Sequence, residues 1–137
     1  MDIQFPIEFL VKGTPVSLQA KRPEARLQWK ERVKVASSEA IPEGHFANDD
    51  GIAITLYYLP DGQMQGDIDN IIKPILDALN AHIYMDDTQV ERVVVQKFEP
   101  GNIFNFKKPS QKLAAALEEK KPVLFVRVTN NPHEDLS

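Results

Sequence analysis

Four aspartates surround one short segment of the chain and could together bind a metal ion. Asp67 and Asp69 lie two residues apart, and Asp86 and Asp87 follow after a helix-forming stretch. In an extended backbone, side chains two residues apart leave the same face, so both carboxylates of the first pair can approach one cation. Two unpaired carboxylates about 4 Å apart repel by roughly 4 kcal/mol at an effective dielectric constant near 20. A divalent metal ion would remove this repulsion, so the pattern indicates a candidate metal site.

Helix capping is the competing explanation for one of these acids. Asp69 or Asn70 could cap the following helix, because Asp and Asn accept hydrogen bonds from the free amides at a helix start and suit the positive end of the helix dipole. Capping does not explain Asp67. On this explanation Asp86 and Asp87 would simply be part of an ordinary turn. The residues alone leave both explanations open.

A longer motif runs through the same region. The string DIDNIIKPILDAL, residues 67–79, is followed by YMDDTQ, residues 84–89. It resembles the signature of the RusA-type Holliday junction resolvases, in which DxDN, Lys and DAL precede a DD pair followed by Gln. The matched positions, in the middle of the chain, are Asp67, Asp69, Asn70, Lys73, Asp77, Ala78, Leu79, Asp86, Asp87 and Gln89.

This resemblance implies a magnesium-dependent endodeoxyribonuclease that resolves Holliday junctions by paired nicks in DNA recombination and repair, with manganese able to replace magnesium. It implies that Asp67, Asp69 and Asp87 are catalytic and bind the metal, with Asp86 as a fourth carboxylate of that site. It also implies that Lys73 is catalytic, stabilising charge on the phosphorane or orienting the attacking water. The expected partners are four-way junction DNA and a second copy of the chain in a homodimer, without a nucleotide cofactor.

Lys73 lies on a helix stripe together with Asn70 and Asp77, opposite the apolar residues of the same helix. Lys73 therefore faces the side of the acidic motif. An i,i+4 ion pair between Lys73 and Asp77, worth a few tenths of a kcal/mol, is the competing explanation. We expect a functional role for Lys73 and a structural role for Asp77.

The net charge of −4 argues against DNA binding, because neutralisation of phosphates supplies most of the affinity of DNA-binding proteins. Charge is unevenly distributed, however, and a metal ion would reverse the local field around the acidic motif. The first third of the chain carries a basic cluster, which we expect to bind DNA: Lys21, Arg22, Arg26, Lys30 and Lys34. From Arg22 to Lys34 four of these recur every fourth residue, the last three of them within a helix predicted over residues 23–39. A solvated helix face is the competing explanation, slightly favoured by the residues alone.

The length of 137 residues predicts one domain over residues 1–129 and a frayed tail over residues 130–137. The chain has no cysteine, which excludes disulfides, zinc-thiolate sites and a cysteine nucleophile. The amino terminus lacks the features of a leader, and no stretch approaches the length of a membrane span, so the expected location is cytoplasmic. The three histidines are isolated, and no glycine-rich phosphate loop is present.

Periodicity predicts strands over residues 2–12, 52–59, 89–98 and 123–129, and helices over residues 23–39, after residue 69 and over residues 110–120. The expected fold class is α+β (mixed α/β), with a small mixed sheet of about four strands and two main helices. Asp69 and Asp87 should lie at opposite ends of one helix, roughly 16 Å apart. This distance predicts active sites shared between two subunits.

Two other functions remain open at this point. A DxD motif also serves other metal-dependent phosphoryl or glycosyl transfer enzymes, although the chain offers no glycine-rich loop for a nucleotide. A junction-binding module without catalysis is the second alternative, and in such a module the acidic set should be eroded. The acidic set is intact in this chain.

Overall fold

The structure is a computed structural model, and it describes residues 2–17, 22–102 and 105–134. In chain order the elements are β1 (Ile7–Lys12), α1 (Pro23–Ser38), β2 (Ile52–Leu59), α2 (Ile72–Leu79), β3 (Val90–Lys97), α3 (Gln111–Glu118) and β4 (Val123–Thr129). There are also two short 3-10 segments among the described residues: Ile68–Ile71 leads into α2, and Asp87–Gln89 leads into β3.

The four strands form one mixed sheet in the order β1-β4-β2-β3. β4 lies antiparallel to both β1 and β2, whereas β2 and β3 are parallel. The predicted α+β class with a small mixed sheet of four strands is confirmed. Three α-helices accompany the sheet: α1 and α2, the two main helices of the prediction, and the shorter α3, which lies within the helix predicted over residues 110–120.

Helix starts follow the local sequence. Pro23 occupies the first turn of α1, where its missing N–H would have no partner in any case. The Ser110 hydroxyl accepts a hydrogen bond from the amide of Leu113 at 3.1 Å and thereby caps α3.

β1 is shorter than predicted and begins at Ile7, directly after Pro6, which cannot donate to a strand ladder. The prediction that Pro6 marks an edge position agrees with the place of β1 at the sheet edge.

The larger core lies between one face of the sheet and the helices α1 and α2. These helices bury Trp29, Val33, Ile75 and Leu79 against the strands. On the other face, α3 covers a smaller core with Leu113 and Ala116. The strand side chains of the two cores alternate along β2 and β4, as expected for a sheet covered on both faces: Ile54, Leu56, Leu124, Val126 and Val128 on the first face, and Leu59, Val123 and Phe125 on the second.

The segment after β4 contacts the sheet as far as the structure describes it. The backbone carbonyl of Glu134 accepts a hydrogen bond from Arg92 at 2.9 Å, and its carboxylate pairs with Arg127. The last three residues of the predicted tail, 135–137, lie outside the described residues. No helix within the described residues is long and apolar enough to span a membrane.

Candidate functional site

All of the matched acids, with Lys73 and Gln89, lie in the connection between the parallel strands β2 and β3. This connection starts after Leu59 and ends at Gln89, and it contains α2 and both 3-10 segments. A parallel strand pair requires such a crossover, and here the helix of the crossover packs on the sheet face that α1 also covers. The scaffold that holds the candidate site is therefore a β-α-β unit.

Asp67 and Asp69 lie at the entrance to α2 with exposed side chains. Gly66 has a φ of +80°, a conformation that suits glycine because it has no Cβ, and it turns the chain into the acidic segment. A 3-10 turn then runs over Ile68–Ile71, and its residue Asp69 makes no side-chain cap of α2, whose capping position is Ile71. The competing explanation, that Asp69 or Asn70 caps the helix, therefore does not hold for α2.

Regular helix begins at Ile72, close to the predicted start near Lys73. Pro74 is the third residue of α2, within the first turn, where backbone amides have no intrahelical partner and the missing donor of proline is harmless. Pro74, Ile75, Ala78 and Leu79 are buried, whereas Lys73 is exposed on the opposite side. The predicted division of the helix into an apolar face and a face carrying Lys73 is confirmed.

Lys73 joins two carboxylates from different parts of the crossover. Its Nζ lies 2.8 Å from Asp77 Oδ1, one helical turn away, and 3.0 Å from Asp87 Oδ2. Hydrogen bonding to Asp77, and then to Asp87, raises the pKa of Lys73 above its ordinary value. The i,i+4 pair with Asp77 is therefore present, and Lys73 also contacts one acid of the motif, Asp87, while its functional role stays a prediction.

Asp87 has three hydrogen-bond donors around its carboxylate. Besides Lys73, the Tyr84 hydroxyl approaches Asp87 Oδ1 at 3.4 Å, and the Asn80 side chain also donates to it. Partial burial acts to raise the pKa of Asp87, but the hydrogen bonds from Lys73, Asn80 and Tyr84 outweigh burial and lower it below its ordinary value. Asp87 is therefore held as a carboxylate.

Tyr84 and Asn80 are site residues that the sequence analysis did not identify. Tyr84 is fully buried, and its hydroxyl also lies 3.0 Å from the carbonyl oxygen of Leu76 in α2. Burial, followed by the charge of Asp87, raises the pKa of the Tyr84 phenol. The only signal in the sequence was position, because both residues precede the DD pair by a few places.

The segment between Asn80 and Asp87 folds back along α2. Asp87 contacts Lys73, which is only four residues beyond Asp69, instead of projecting from the far end of the helix. The estimate of roughly 16 Å between Asp69 and Asp87 assumed that this return was improbable, and the contact removes that assumption. Asp87 thus reaches Lys73 within one chain, whereas the distance from Asp69 to Asp87 and the sharing of active sites between two subunits stay predictions.

The donor types of this region fit a hard divalent cation, because such ions prefer carboxylate oxygens. Within residues 2–17, 22–102 and 105–134, no three His, Cys, Asp or Glu side chains form a group that could hold a metal ion. In the described conformation the cation beside Asp87 is the ammonium group of Lys73. The donor chemistry thus fits a divalent metal, whereas the described conformation pairs Asp87 with Lys73 and brings no three of these carboxylates together.

Two members of the basic cluster lie next to this site. Arg26 and Lys30 line a cavity of about 230 Å³ together with Leu27 from α1 and Pro74 and Asp77 from α2. Arg22 is exposed directly before α1, Lys34 is exposed within the helix, and Lys21 lies outside the described residues. The packing of α1 against α2 therefore brings part of the predicted DNA-binding stripe beside the Lys73–Asp77 pair.

A scan against models of protein families matches the family described as "Endodeoxyribonuclease RusA" over residues 12–104. A comparison with curated proteins found no match. The family match includes the whole β2–β3 crossover but ends before α3 and β4, although β4 lies in the middle of the sheet.

The match spans more than half of the chain and contains the acids, Lys73 and Gln89 in the positions described above. The family implies a divalent-metal-dependent nuclease that acts on Holliday junction DNA, and therefore an enzyme that hydrolyses phosphodiester bonds. The chain belongs to the RusA family of endodeoxyribonucleases.

Proposed function

We propose that this chain resolves four-way DNA junctions with magnesium as its metal ion, and that Asp67, Asp69 and Asp87 bind the ion with Asp86 as a fourth carboxylate. The observation that carries the proposal is the contact between Lys73 and Asp87 within the family motif. It joins a cationic side chain to a carboxylate that three donors keep charged. A charged carboxylate is the form that binds a hard cation.

A bound magnesium ion would polarise the scissile phosphate and lower the pKa of the attacking water. In this proposal Asp67 and Asp69 approach from the turn before α2, and Asp87 approaches from the returning segment. Lys73 then donates to the phosphate oxygens as negative charge develops on them. Asp77 keeps the Lys73 ammonium beside the acids, since its carboxylate lies 2.8 Å from Nζ.

Junction DNA would extend from this site across α1. Arg26 and Lys30 border the same cavity as Asp77, so phosphates on either side of the cleaved bond could contact them. Arg22 and Lys34 extend the stripe along the exposed side of the helix. Local positive charge of this kind supports phosphate binding despite the net charge of −4.

A homodimer is the second part of the proposal. Two strands of a four-way junction must be nicked at symmetric positions, and two identical chains related by a two-fold axis supply two such sites. Each chain would provide its own Lys73 and Asp87, because these residues are in contact within one chain.

Cleavage of a labelled four-way junction with and without magnesium tests the proposal. Replacing Asp67, Asp69 or Asp87 by Asn keeps the side-chain size but removes its charge, so cleavage should be lost while junction binding persists. Asp2→Asn, an exposed acid far from the motif in sequence, is the matched control and should cut normally. Full cleavage by any one of the three site variants would remove that residue from the proposed site. Binding of the junction by the native chain without cleavage would instead indicate a catalytically silent module.

A further inference from the structure

We infer that Gln89 is a positioning residue that holds the Asp86–Asp87 turn in the orientation needed for metal binding. The inference rests on the proposed function, because it concerns the acids assigned there to the metal. Gln89 itself has no carboxylate and does not contact Asp87 through its side chain in the described hydrogen bonds. Its action would therefore be through the backbone that carries the two acids.

The Gln89 side chain uses its whole hydrogen-bonding capacity. Its Oε1 accepts from the backbone amides of Met85 at 2.7 Å and Asp86 at 2.9 Å. Its Nε2 donates to the backbone carbonyls of Asn48 and Asp50, both at 2.8 Å. A carboxamide offers two N–H donors and two oxygen lone pairs, so all four are engaged.

The accepting half of this side chain fixes the start of the acidic turn. Asp86 precedes the 3-10 segment Asp87–Gln89, and the amides at such a start have no partner inside the segment. Gln89 satisfies the Asp86 amide in the manner of the glutamine in a capping box and also satisfies that of Met85. These two bonds define the backbone from which the Asp86 and Asp87 carboxylates project.

The donating half ties the same turn to the segment before β2. Asn48 is itself fixed against the returning segment, because its amide donates to the carbonyl of Ile83 at 2.8 Å. Asp50 is also anchored, since its side chain accepts from Asn130 at 3.2 Å beyond β4. Gln89 therefore connects the acidic turn to a segment that contacts both the returning segment, through Asn48, and the residue after β4, through Asp50.

The importance of Gln89 should increase when the metal binds. In the described conformation Asp87 is held partly by Lys73, and a metal ion would compete with Lys73 for the same carboxylate. Once that contact is lost, the backbone of the turn must be held by other bonds, and Gln89 provides four of them. Removing a residue that orients metal ligands typically weakens metal affinity by about 10-fold to 100-fold.

The test compares Gln89→Leu with native protein in the full chain. The Leu side chain is of similar size but makes none of the four hydrogen bonds. Manganese binding, measured by electron paramagnetic resonance, should weaken about tenfold or more. Amide hydrogen exchange at Met85 and Asp86 should accelerate, and the magnesium concentration for half-maximal cleavage should rise while the rate at saturating magnesium is retained. Gln96→Leu, an exposed glutamine on β3, is the matched control and should change none of these quantities.

A second variant keeps the test decisive if Gln89→Leu does not fold. Gln89→Glu retains an oxygen acceptor for the Met85 and Asp86 amides but loses both donors to the Asn48 and Asp50 carbonyls. It should also weaken manganese binding, with slower exchange at Met85 and Asp86 than in Gln89→Leu wherever both fold. Native manganese affinity in a folded Gln89 variant would overturn the inference, as would unchanged exchange at Met85 and Asp86 in folded Gln89→Leu. A native chain that neither binds manganese nor cuts junctions would instead refute the proposed function, and the exchange measurement would still decide whether Gln89 holds the turn.

Discussion

Lys73 and Asp87 form an ion pair across 14 positions of the chain, with 3.0 Å between Nζ and Oδ2. The pair links α2 to the turn that precedes β3, and Asp77 completes it from the next turn of the helix. The partners are partly exposed, so solvent screens the attraction and its contribution to stability is small. Its main significance is placement, because it puts a positive charge beside a carboxylate of the proposed metal site.

Lys73→Gln should lose cleavage but keep metal binding. The replacement removes the charge that we expect to stabilise the developing phosphorane, and removal of one such donor typically lowers the rate by about 10²-fold to 10³-fold. The acids remain, and Asp87 loses a competing cation, so manganese affinity should be retained or increased. Single-turnover cleavage of a four-way junction and manganese titration measure the two effects. Lys120→Gln, an exposed lysine after α3, is the control, and native-rate cleavage by Lys73→Gln would contradict the catalytic role.

The double change Arg26→Glu and Lys30→Glu should weaken junction binding without dependence on DNA sequence. Loss of phosphate contacts releases fewer counterions, so the slope of log affinity against log salt should flatten by roughly one unit per lost contact. Fluorescence anisotropy at several salt concentrations measures this slope. Lys112→Glu with Lys120→Glu makes the same charge change on and after α3 and should leave the slope unaltered. An unchanged slope in the α1 variant would show that this face of α1 is a solvated surface that does not contact DNA.

Tyr84→Phe should lower the free energy of unfolding modestly and raise the pKa of Asp87. The change removes the hydroxyl that contacts Leu76 and Asp87, while the Leu76 carbonyl keeps its bond from the amide of Asn80 at 3.0 Å. Because no buried acceptor loses its last partner, the expected loss is about 1 kcal/mol in the free energy of unfolding. Loss of one hydrogen bond should also raise the pKa of Asp87 toward its ordinary value. Urea unfolding measures the first effect and carboxyl titration by NMR the second, and an unaltered Asp87 titration would show that Tyr84 has no influence on it.

The bounds of strands and helices were most predictable where the local residue types alone determine them. The bounds of β2 and β4 agree with the predicted 52–59 and 123–129, because both segments are rich in β-branched and aromatic residues and lie between turn residues. The predicted start of regular helix near Lys73 also agrees, because Pro74 is tolerated only in the first turn. The place of β4 between β1 and β2 could not be read from the sequence, since strand order depends on pairing between distant segments.

The site residues were predictable as a motif but not as a geometry. The spacing of the acids and Lys73 indicated their chemistry, whereas the return of Asp87 to Lys73 depends on contacts between distant segments. One such contact is the bond from the Gln89 side chain to the Asn48 carbonyl, across 41 positions. Helical periodicity contains no information about such contacts, so the return of Asp87 to Lys73 could not be predicted from the sequence.

The His82 ring makes stability depend on pH in the mildly acidic range. It is packed against the end of α1, where its Nε2 lies 3.0 Å from the fully buried Ser37 Oγ and 3.3 Å from Ser38 Oγ. The ring of His45 lies edge-on to it with a centroid distance of 4.9 Å. Burial, and then the nearby positive charges of His45 and Lys34, lower the pKa of His82 below its ordinary value of 6.5.

A lowered pKa means that the unfolded chain takes up a proton at His82 more readily than the folded chain. Between the two pKa values the unfolded state therefore binds more protons, and stability rises with pH. The destabilisation from His82 is absent well above pH 6.5, grows as the pH falls below that value, and becomes constant below the folded pKa. His82→Gln, which keeps a side chain able to bond Ser37, should remove this part of the pH dependence.

Urea unfolding at pH 7.5 and pH 5.0 measures the effect. The free energy of unfolding should fall more between these two pH values in the native chain than in His82→Gln, because only the native chain carries the depressed imidazole. His133→Gln, at an exposed position after β4, controls for the loss of a histidine and should behave as the native chain does. Equal losses in native protein and His82→Gln would show that His82 titrates alike in the folded and unfolded chains, and the packing of its ring against Ser37 would then have no energetic consequence for protonation.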